Sequence, residues 1–241
     1  MGAILITGAS SGLGRAIALA LHHDHTLLCL GRSAERLQEA GVLCGEFVPI
    51  DFVKHTPLDV TDTVRELAGK YGGLDGMVHC AGEAGNRMPM RHQLDSTFDR
   101  GMSFAASTFA MLRAACKPNV MEDGASVVVA SSVAASRGCK GLGVYAAARA
   151  ASEAMVRTVA VELASRRVRV NAVAYGAFES AMHLNLTRAM TPSSLDAYKL
   201  RHPLGFGTCE AAAATVLHLL SPAAAWTTGT TVVVDGGYSL L

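Results

Sequence analysis

A tyrosine and an arginine, Tyr145 and Arg149, stand one helical turn apart in the stretch VYAAARAAS (144–152). Side chains at this spacing face the same way on a helix. A free tyrosine has a pKa of ~10, so at neutral pH it exchanges protons slowly unless a nearby cation stabilises its ionised form. The pair therefore predicts a tyrosine that donates and accepts a proton beside a fixed positive charge.

A glycine-rich turn near the start of the chain predicts a site for a phosphate-bearing ligand. In LITGASSGLGRAIALAL (5–21), an apolar strand pattern ends at Thr7, and Gly8, Gly12 and Gly14 lead directly into a helical pattern. Glycines let the backbone turn tightly and approach a pyrophosphate, and the helix N-terminus adds free N–H donors and partial positive charge. A strand, such a turn and an amphipathic helix are together typical of a dinucleotide site.

The second strand pattern ends in LCLGRSAERL, and Arg32 stands where a site for NAD usually has an acidic residue that holds the ribose 2′-hydroxyl. A carboxylate would repel a 2′-phosphate, whereas a guanidinium binds one through charge-assisted hydrogen bonds. The sequence therefore favours NADP(H) over NAD(H), with Ser11 as a further hydroxyl contact. The alternative is that Arg32 caps a loop and lies in solvent.

Short apolar runs alternate with helical patterns along the whole chain. Strands are predicted at 3–7, 26–31, 46–50, 76–82, 126–132, 167–174 and 230–237, and helices at 13–23, 58–71, 95–117, 145–166 and 210–220. Unbroken apolar strands between helices indicate βαβ units and a parallel sheet covered on both faces. We therefore expect an α/β fold, a single Rossmann-like doubly wound domain over residues 1–241.

Composition argues against several other classes of protein. The net charge is +1 and aromatic residues make up 5% of the chain, which disfavours a nucleic-acid partner. No run approaches the ~18–20 apolar residues of a membrane span, and the first strand begins too early for a leader, so a soluble, cytoplasmic protein is expected. Six cysteines without metal-ligand spacing predict free thiols in a reducing compartment and no metal site.

Further motifs agree in order along the chain and resemble the short-chain dehydrogenase/reductase family. They are the spacing Gly-x-x-x-Gly-x-Gly in the first turn, Asp51, HCAG (79–82), Ser132, Tyr145, VNAVAYGAFES (170–180) and TGTTVVVDGG (228–237). The resemblance covers essentially the whole chain. Within the family, the chain looks most like the ketoreductases of acyl-carrier-protein substrates.

The resemblance implies an oxidoreductase that interconverts a ketone and a secondary alcohol by hydride transfer. It makes Tyr145 the acid/base and Ser132 the residue that orients the substrate oxygen and stabilises charge on it; Ser131 is adjacent, but the spacing favours Ser132. Arg149 stands where the family has a lysine that activates the tyrosine and binds the nicotinamide ribose.

The resemblance also implies a cofactor-binding set. In it, Asp51 binds the adenine amino group, and the backbone at Ala81 and Gly82 packs on the adenosine ribose. The full set is Gly8, Ser10, Ser11, Gly12, Leu13, Gly14, Arg32, Asp51, Phe52, Ala81, Gly82, Tyr145, Arg149, Gly176 and Phe178.

The stretch 178–207 is similar to the variable substrate lid of the family. Its candidates for contact with substrate are Met182, His183, Leu186 and Met190, and their mixed character suggests a medium-sized, partly apolar carbonyl or alcohol, either free or carrier-bound. The resemblance further implies a homodimer or homotetramer that assembles through the helices at 95–117 and 145–166.

Other positions depart from the family's pattern. On the helix at 95–117, the family's asparagine is replaced by Phe104 or Ala105, depending on the register, and Ser103 is expected to point elsewhere. Tyr175 stands in place of a proline, where it either lines the reaction pocket or fills the vacated space. His79 either hydrogen-bonds to a neighbouring strand or acts as a base.

Two interpretations of the function remain. Retention of Ser132 and Tyr145 favours an NADP(H)-dependent ketoreductase or alcohol dehydrogenase, because a pure scaffold has no need of that hydroxyl pair. Loss of the lysine and the asparagine favours a catalytically impaired relative, which would serve as a nucleotide-binding or partner-binding subunit of a pathway complex. Arg149 keeps the charge but does not easily pass a proton. We take the enzyme as the better supported of the two.

Overall fold

The computed structural model describes residues 2–85, 87–188 and 190–241. Its strands are β1 (Ala3–Thr7), β2 (Thr26–Gly31), β3 (Glu46–Pro49), β4 (Leu74–His79), β5 (Met121–Ser132), β6 (Arg169–Tyr175) and β7 (Thr231–Val234). They form one seven-stranded sheet in the order β3-β2-β1-β4-β5-β6-β7, in which all neighbours run parallel. The predicted parallel, doubly wound α/β sheet is confirmed.

The helices are α1 (Gly12–Leu21), α2 (Ala34–Glu39), α3 (Pro57–Tyr71), α4 (Asp95–Ala115), α5 (Gly143–Leu163), α6 (Ala181–Thr187), α7 (Pro192–Leu200) and α8 (Cys209–Leu220). Each predicted helix is present, with ends that differ by a few residues. The short helices α2, α6 and α7 were not predicted, because fewer than three turns give too little apolar periodicity to detect.

The predicted fourth strand, 76–82, ran three residues too far. The structure ends β4 at His79 because the N–H groups of Cys80 and Ala81 donate to the Thr7 hydroxyl instead of joining the sheet. This turns the backbone away from the sheet at the edge where the strands end. The residues that follow are thereby free to border a ligand.

The sheet separates two apolar cores. One core packs α3, α4 and α5 against one face through residues such as Val64, Met111 and Val156. The other packs α1, α2 and α8 against the opposite face, for example through Ile17 and Val216. Burial of both sheet faces explains why the strands are nearly continuous apolar runs.

The cysteines and the helices were each the subject of a prediction from the sequence. All six cysteines are free thiols, as predicted. Within 2–85, 87–188 and 190–241, no helix combines the length and the apolar character that crossing a bilayer takes.

Candidate active site

One large cleft lies at the carboxyl ends of the strands, where the strand order reverses between β1 and β4. In parallel sheets, ligands bind at this edge and at this reversal. Every residue predicted for cofactor binding or catalysis lines the cleft; these are Gly8, Ser10, Ser11, Gly12, Leu13, Gly14, Arg32, Asp51, Phe52, Ala81, Gly82, Ser132, Tyr145, Arg149, Gly176 and Phe178.

The N-terminus of α1 faces the cleft with its backbone donors uncapped. The Ser11 hydroxyl at the N-cap accepts no hydrogen bond from the helix, and the first turn contains no acidic residue. A Cβ atom at Gly14 would lie 2.3 Å from the Gly8 carbonyl oxygen, so only glycine permits this tight turn. Free N–H groups and the positive helix end make an anion site. The residues present therefore fit the pyrophosphate of a dinucleotide.

Arg32 lines the cleft together with Ser33 and Arg36. Its Nη1 atom lies 3.3 Å from Oε1 of Glu83, and Oε2 of Glu83 lies 2.7 Å from Nη2 of Arg100. The Arg32 and Glu83 side chains are 61% and 42% exposed, so their ion pair is weak. Arg32 thus lies at the rim of the cleft, largely exposed to solvent and weakly paired with Glu83. Glu83 was missed because nothing in the sequence pairs two residues so far apart.

Asp51 and Phe52 follow β3 at the rim of the cleft. The Asp51 Oδ1 atom accepts from the Val53 N–H at 3.1 Å, and Oδ2 lies 3.9 Å from the Lys54 ammonium. The Phe52 ring meets the His79 ring edge-on, with centroids 5.6 Å apart. Since a carboxylate has about four lone-pair sites, Asp51 retains acceptor capacity for an amino group.

His79 is buried at the end of β4 and makes hydrogen bonds through both ring nitrogens. Because the Thr7 hydroxyl already accepts from Cys80 and Ala81, its own proton is left to donate to Nδ1 of His79, at 2.8 Å. Nε2 then carries the ring proton and donates to the Ser107 hydroxyl at 2.9 Å. Burial is the main reason that the pKa of His79 is lowered to about 3. His79 is therefore a neutral structural residue, which supports the first of its two expected roles.

Ser132 ends β5 with a hydroxyl that is largely uncommitted. It accepts from the Ala134 N–H at 3.2 Å, while its own proton has only a long contact of 3.4 Å to the Tyr175 carbonyl. The neighbouring Ser131 hydroxyl is buried and donates to Glu153 Oε1 at 2.5 Å. The geometry therefore supports Ser132, the serine that the spacing favoured.

The first turns of α5 bring Tyr145 and Arg149 to the cleft on one face, as predicted. The Cζ atom of Arg149 lies 4.9 Å from the centroid of the Tyr145 ring. The Arg149 side chain is buried, and its Nη1 donates to the Ala130 carbonyl at 2.7 Å. Burial lowers the pKa of the guanidinium from its usual value, but arginine remains charged at neutral pH. A fixed cation thus lies beside Tyr145.

The wall of the cleft along α4 contains Ser103, Phe104 and Ser107. The Phe104 ring contacts Arg149, whose Cζ atom lies 3.4 Å from the ring centroid, whereas the alternative position, Ala105, is simply buried. The expectation that Ser103 points elsewhere was wrong, because α4 runs along the cleft and presents both positions to it. The Ser103 hydroxyl nevertheless donates to its own helix backbone.

Tyr175 combines its two expected roles. It lines the cleft, and it also fills space in the core, where its ring lies 5.4 Å from that of Phe178. Its hydroxyl donates to the Ala212 carbonyl at 3.0 Å, and burial raises the pKa of that hydroxyl. Tyr175 therefore links α8 to β6 by a hydrogen bond, and its hydroxyl is not available to act as the acid in place of Tyr145.

The stretch 178–207 contains α6 and α7. Met182, His183 and Leu186 line the cleft, whereas Met190 is not among the described residues that do. Burial lowers the pKa of His183, which packs against the ring of Phe206. Sequence reasoning missed other residues of this wall, which no motif marks; they are Arg87, Cys139, Leu142, Tyr198 and Tyr238.

The chain is similar to known proteins over nearly its whole length. The family model described as enoyl-(acyl carrier protein) reductase matches residues 8–239. A 3-oxoacyl-[acyl-carrier-protein] reductase of Thermotoga maritima is 31% identical over 240 residues, which cover 97% of this chain and 96% of that protein. 2-(S)-Hydroxypropyl-CoM dehydrogenase 3 of Xanthobacter autotrophicus is 33% identical over 251 residues, or 99% of this chain and 96% of that protein.

Among solved structures, a short-chain dehydrogenase of Burkholderia cenocepacia in complex with NADP superposes with a TM-score of 0.86 at 26% identity. The match covers 98% of this chain and 97% of that one. The likeness therefore extends over nearly the whole fold.

Proposed function

Because the chain belongs to the short-chain dehydrogenase/reductase family of oxidoreductases, we propose that it interconverts a ketone and a secondary alcohol with NADP(H), using Tyr145 as the acid/base. One observation carries the proposal: Ser132, Tyr145 and a buried cation, Arg149, line the same cleft as the glycine turn and the uncapped N-terminus of α1. An anion site and a proton donor in one cleft suit a dinucleotide-dependent reduction.

The dinucleotide site favours the 2′-phosphorylated cofactor. Arg32 and Arg36 line the cleft, and guanidinium groups bind phosphate through charge-assisted hydrogen bonds. The Burkholderia cenocepacia structure, which contains NADP, gives independent support. Bound NADPH would supply the hydride that the protein itself lacks.

The chain's own residues supply the proton and the charge stabilisation. Ser132 donates its weakly engaged proton to the substrate oxygen and so orients the carbonyl. Tyr145 gives the proton that converts that oxygen into a hydroxyl. Arg149 stabilises the negative charge left on Tyr145, because a cation in a buried site acts through a low effective dielectric constant. Oxidation of the alcohol runs through the same steps in reverse.

The substrate contacts the wall formed by Leu142, Met182 and Leu186, with 178–207 as its lid. Apolar side chains with a few polar groups suit a medium-sized, partly apolar carbonyl compound, either free or carrier-bound. The Thermotoga maritima relative is named for a carrier-bound substrate, which makes an acyl thioester the first compound class to assay.

Tyr145→Phe tests the assignment. NADPH and NADH are titrated by calorimetry, and NADPH oxidation is followed with a panel of ketones and β-ketoacyl thioesters. We expect tighter binding of NADPH than of NADH, turnover by the wild type, and a loss of at least about a hundredfold in kcat for Tyr145→Phe with NADPH binding intact.

Tyr71→Phe is the matched control, because Tyr71 donates to Glu46 outside the cleft. Unchanged turnover in Tyr145→Phe would reject Tyr145 as the acid/base. A wild-type chain that binds NADPH but reduces no carbonyl would instead support the impaired nucleotide-binding relative.

A further inference from the structure

We propose that Phe104 is a positioning residue that holds the Arg149 guanidinium in place for the reaction, an inference that rests on the function proposed above. The Cζ atom of Arg149 lies 3.4 Å from the centroid of the Phe104 ring. Such a contact is a cation–π interaction, whose strength rises when water is excluded. Both side chains are buried, each to 3% exposure.

The cation has few other partners. A buried charge is costly unless it is paired, usually with a carboxylate. No carboxylate of the described residues forms a salt bridge with Arg149. Its Nη1 donates to the Ala130 carbonyl, and its Nε has no acceptor among these residues. The aromatic face of Phe104, closer to the guanidinium than that of Tyr145, is therefore a main source of stabilisation for this charge.

Gly82 provides the space for the stacked pair. A Cβ atom at Gly82 would lie 2.8 Å from Nη2 of Arg149 and 2.8 Å from Cδ2 of Phe104. Both distances are shorter than ordinary van der Waals contact, so any side chain at this position would displace the pair. Gly82 in the loop after β4, Phe104 on α4 and Arg149 on α5 thus pack against one another.

Phe104 is itself held by the His79 network. The His79 ring stacks on the Phe104 ring at an interplanar angle of 16°, with centroids 4.9 Å apart. Ser107, which accepts from His79, donates its hydroxyl proton to the Phe104 carbonyl at 2.9 Å. Neutral His79 therefore fixes the ring without placing a second positive charge beside it.

The consequence for the site is a guanidinium with a restricted orientation. Arginine has a long side chain with many rotamers, and the ring of Phe104 and the Ala130 carbonyl select one. In that rotamer the cation lies against Tyr145 and lines the cleft. Without the ring, the cation can move away from Tyr145 while the fold remains.

A double-mutant cycle tests the inference. The variants are Phe104→Leu, Arg149→Met and the two combined, assayed for kcat at saturating NADPH and for Tm. Removing the ring is expected to lower kcat about tenfold in the wild-type background, the effect of losing one desolvated cation–π contact. In the Arg149→Met background, the same change is expected to lower kcat less than about twofold, since there is no cation left to position.

Further variants separate positioning from packing. Phe104→Tyr keeps an aromatic face and is expected to retain kcat within about threefold. Phe104→Met fills a similar volume without a ring and is expected to lose activity like leucine, which keeps the test open if leucine fails to fold. Phe109→Leu is the matched control, because Phe109 lies on the same helix with Arg113 over its ring, 5.1 Å away, outside the cleft.

The outcomes distinguish this inference from the proposed function. If Phe104→Leu lowers kcat equally in both backgrounds, or if Phe104→Tyr is as impaired as Phe104→Leu, the ring acts only through packing and the inference is overturned. If the wild type reduces no carbonyl, the proposed function fails. The same double-mutant cycle is then measured on the Kd for NADPH. If the effects of Phe104→Leu and Arg149→Met on that Kd are additive, the inference is overturned. A chain that binds no NADPH overturns both.

Discussion

Arg149 and Arg32 are both cations of the cleft, but their surroundings give the two charges different strengths. Arg149 is 3% exposed, whereas the Arg32 side chain is 61% exposed. Salt screens exposed charges and leaves buried ones largely unaffected. The stabilisation of ionised Tyr145 by Arg149 should therefore be insensitive to salt concentration. The preference that Arg32 gives for NADPH over NADH should be modest and should depend on the charges of its neighbours.

Glu83 is the neighbour that tunes Arg32. Its carboxylate lies between Arg32 and Arg100 and competes with any phosphate that Arg32 would bind. Glu83→Gln is expected to tighten NADPH binding up to about fivefold, since an exposed ion pair contributes ~0.2–1 kcal/mol. NADH binding should change little, because NADH has no 2′-phosphate. Calorimetric Kd values for both cofactors measure the effect.

Glu66→Gln is the control for the change in net charge, because Glu66 is exposed on α3 and does not line the cleft. It should leave both Kd values unchanged. Weaker NADPH binding by Glu83→Gln would show that Glu83 orients Arg32 for the phosphate rather than competing with it.

The N-terminus of helix α1 lacks a stabilising side-chain cap, and its backbone N–H groups are therefore free to bind an anion. Its N-cap residue Ser11 makes no capping hydrogen bond, and its first turn has no acidic side chain. Ser11→Asp would supply both a cap acceptor and a favourable charge for the helix end. The same carboxylate would repel a bound pyrophosphate. We expect an equal or higher Tm and NADPH binding at least about tenfold weaker, because unit charges ~4 Å apart repel by several kcal/mol at an effective dielectric constant of ~20.

Thr208→Asp is the matched control, since Thr208 caps α8 by accepting from the Ala211 N–H and does not line the cleft. It should leave the Kd for NADPH unchanged. If Ser11→Asp bound NADPH as well as the wild type, α1 would not be the pyrophosphate site.

Elements whose signal is local were predictable from the sequence. The glycine turn before α1, the buried strands and the shared face of Tyr145 and Arg149 follow from period, turn chemistry and helix geometry. The partners that set the strengths of the charges were not predictable. Glu83 reaches Arg32, and Phe104 reaches Arg149, only because separate loops and helices converge on one cleft edge. No pattern within either segment encodes such a meeting.

At the scale of the whole molecule, assembly stays a prediction. Phe98 and Phe109 on α4 and Val161 on α5 are exposed apolar side chains on the two helices expected to form a homodimer or homotetramer. Covering them would remove apolar surface from water. The predicted catalytic and cofactor-binding residues all line a cleft within one chain, at a distance in sequence from these three exposed side chains.

Stability of the whole chain should fall in mild acid because of His79. Its pKa is lowered to about 3 in the folded state, mainly by burial, while a histidine in the unfolded chain has a pKa of ~6.5. Below pH ~6.5, His79 therefore binds a proton in the unfolded chain but not in the folded chain, so the free energy of unfolding decreases as pH falls. Between pH 7 and pH 5, this one residue should remove about 2 kcal/mol.

His79→Asn removes the titrating ring, because an asparagine amide can accept from Thr7 in place of Nδ1 and does not itself titrate. Urea unfolding at pH 7 and pH 5 measures the loss in each variant. Half-buried His183 and buried His202 also have lowered pKa values, but both variants contain them, so their effects cancel in the difference. The asparagine variant should lose about 2 kcal/mol less than the wild type, whereas His218→Asn, at an exposed position, should match the wild type.

Equal losses in the wild type and His79→Asn would mean that His79 accepts a proton in the folded state. The Phe104 ring would then have cations at both His79 and Arg149, and the positioning of Arg149 would itself depend on pH.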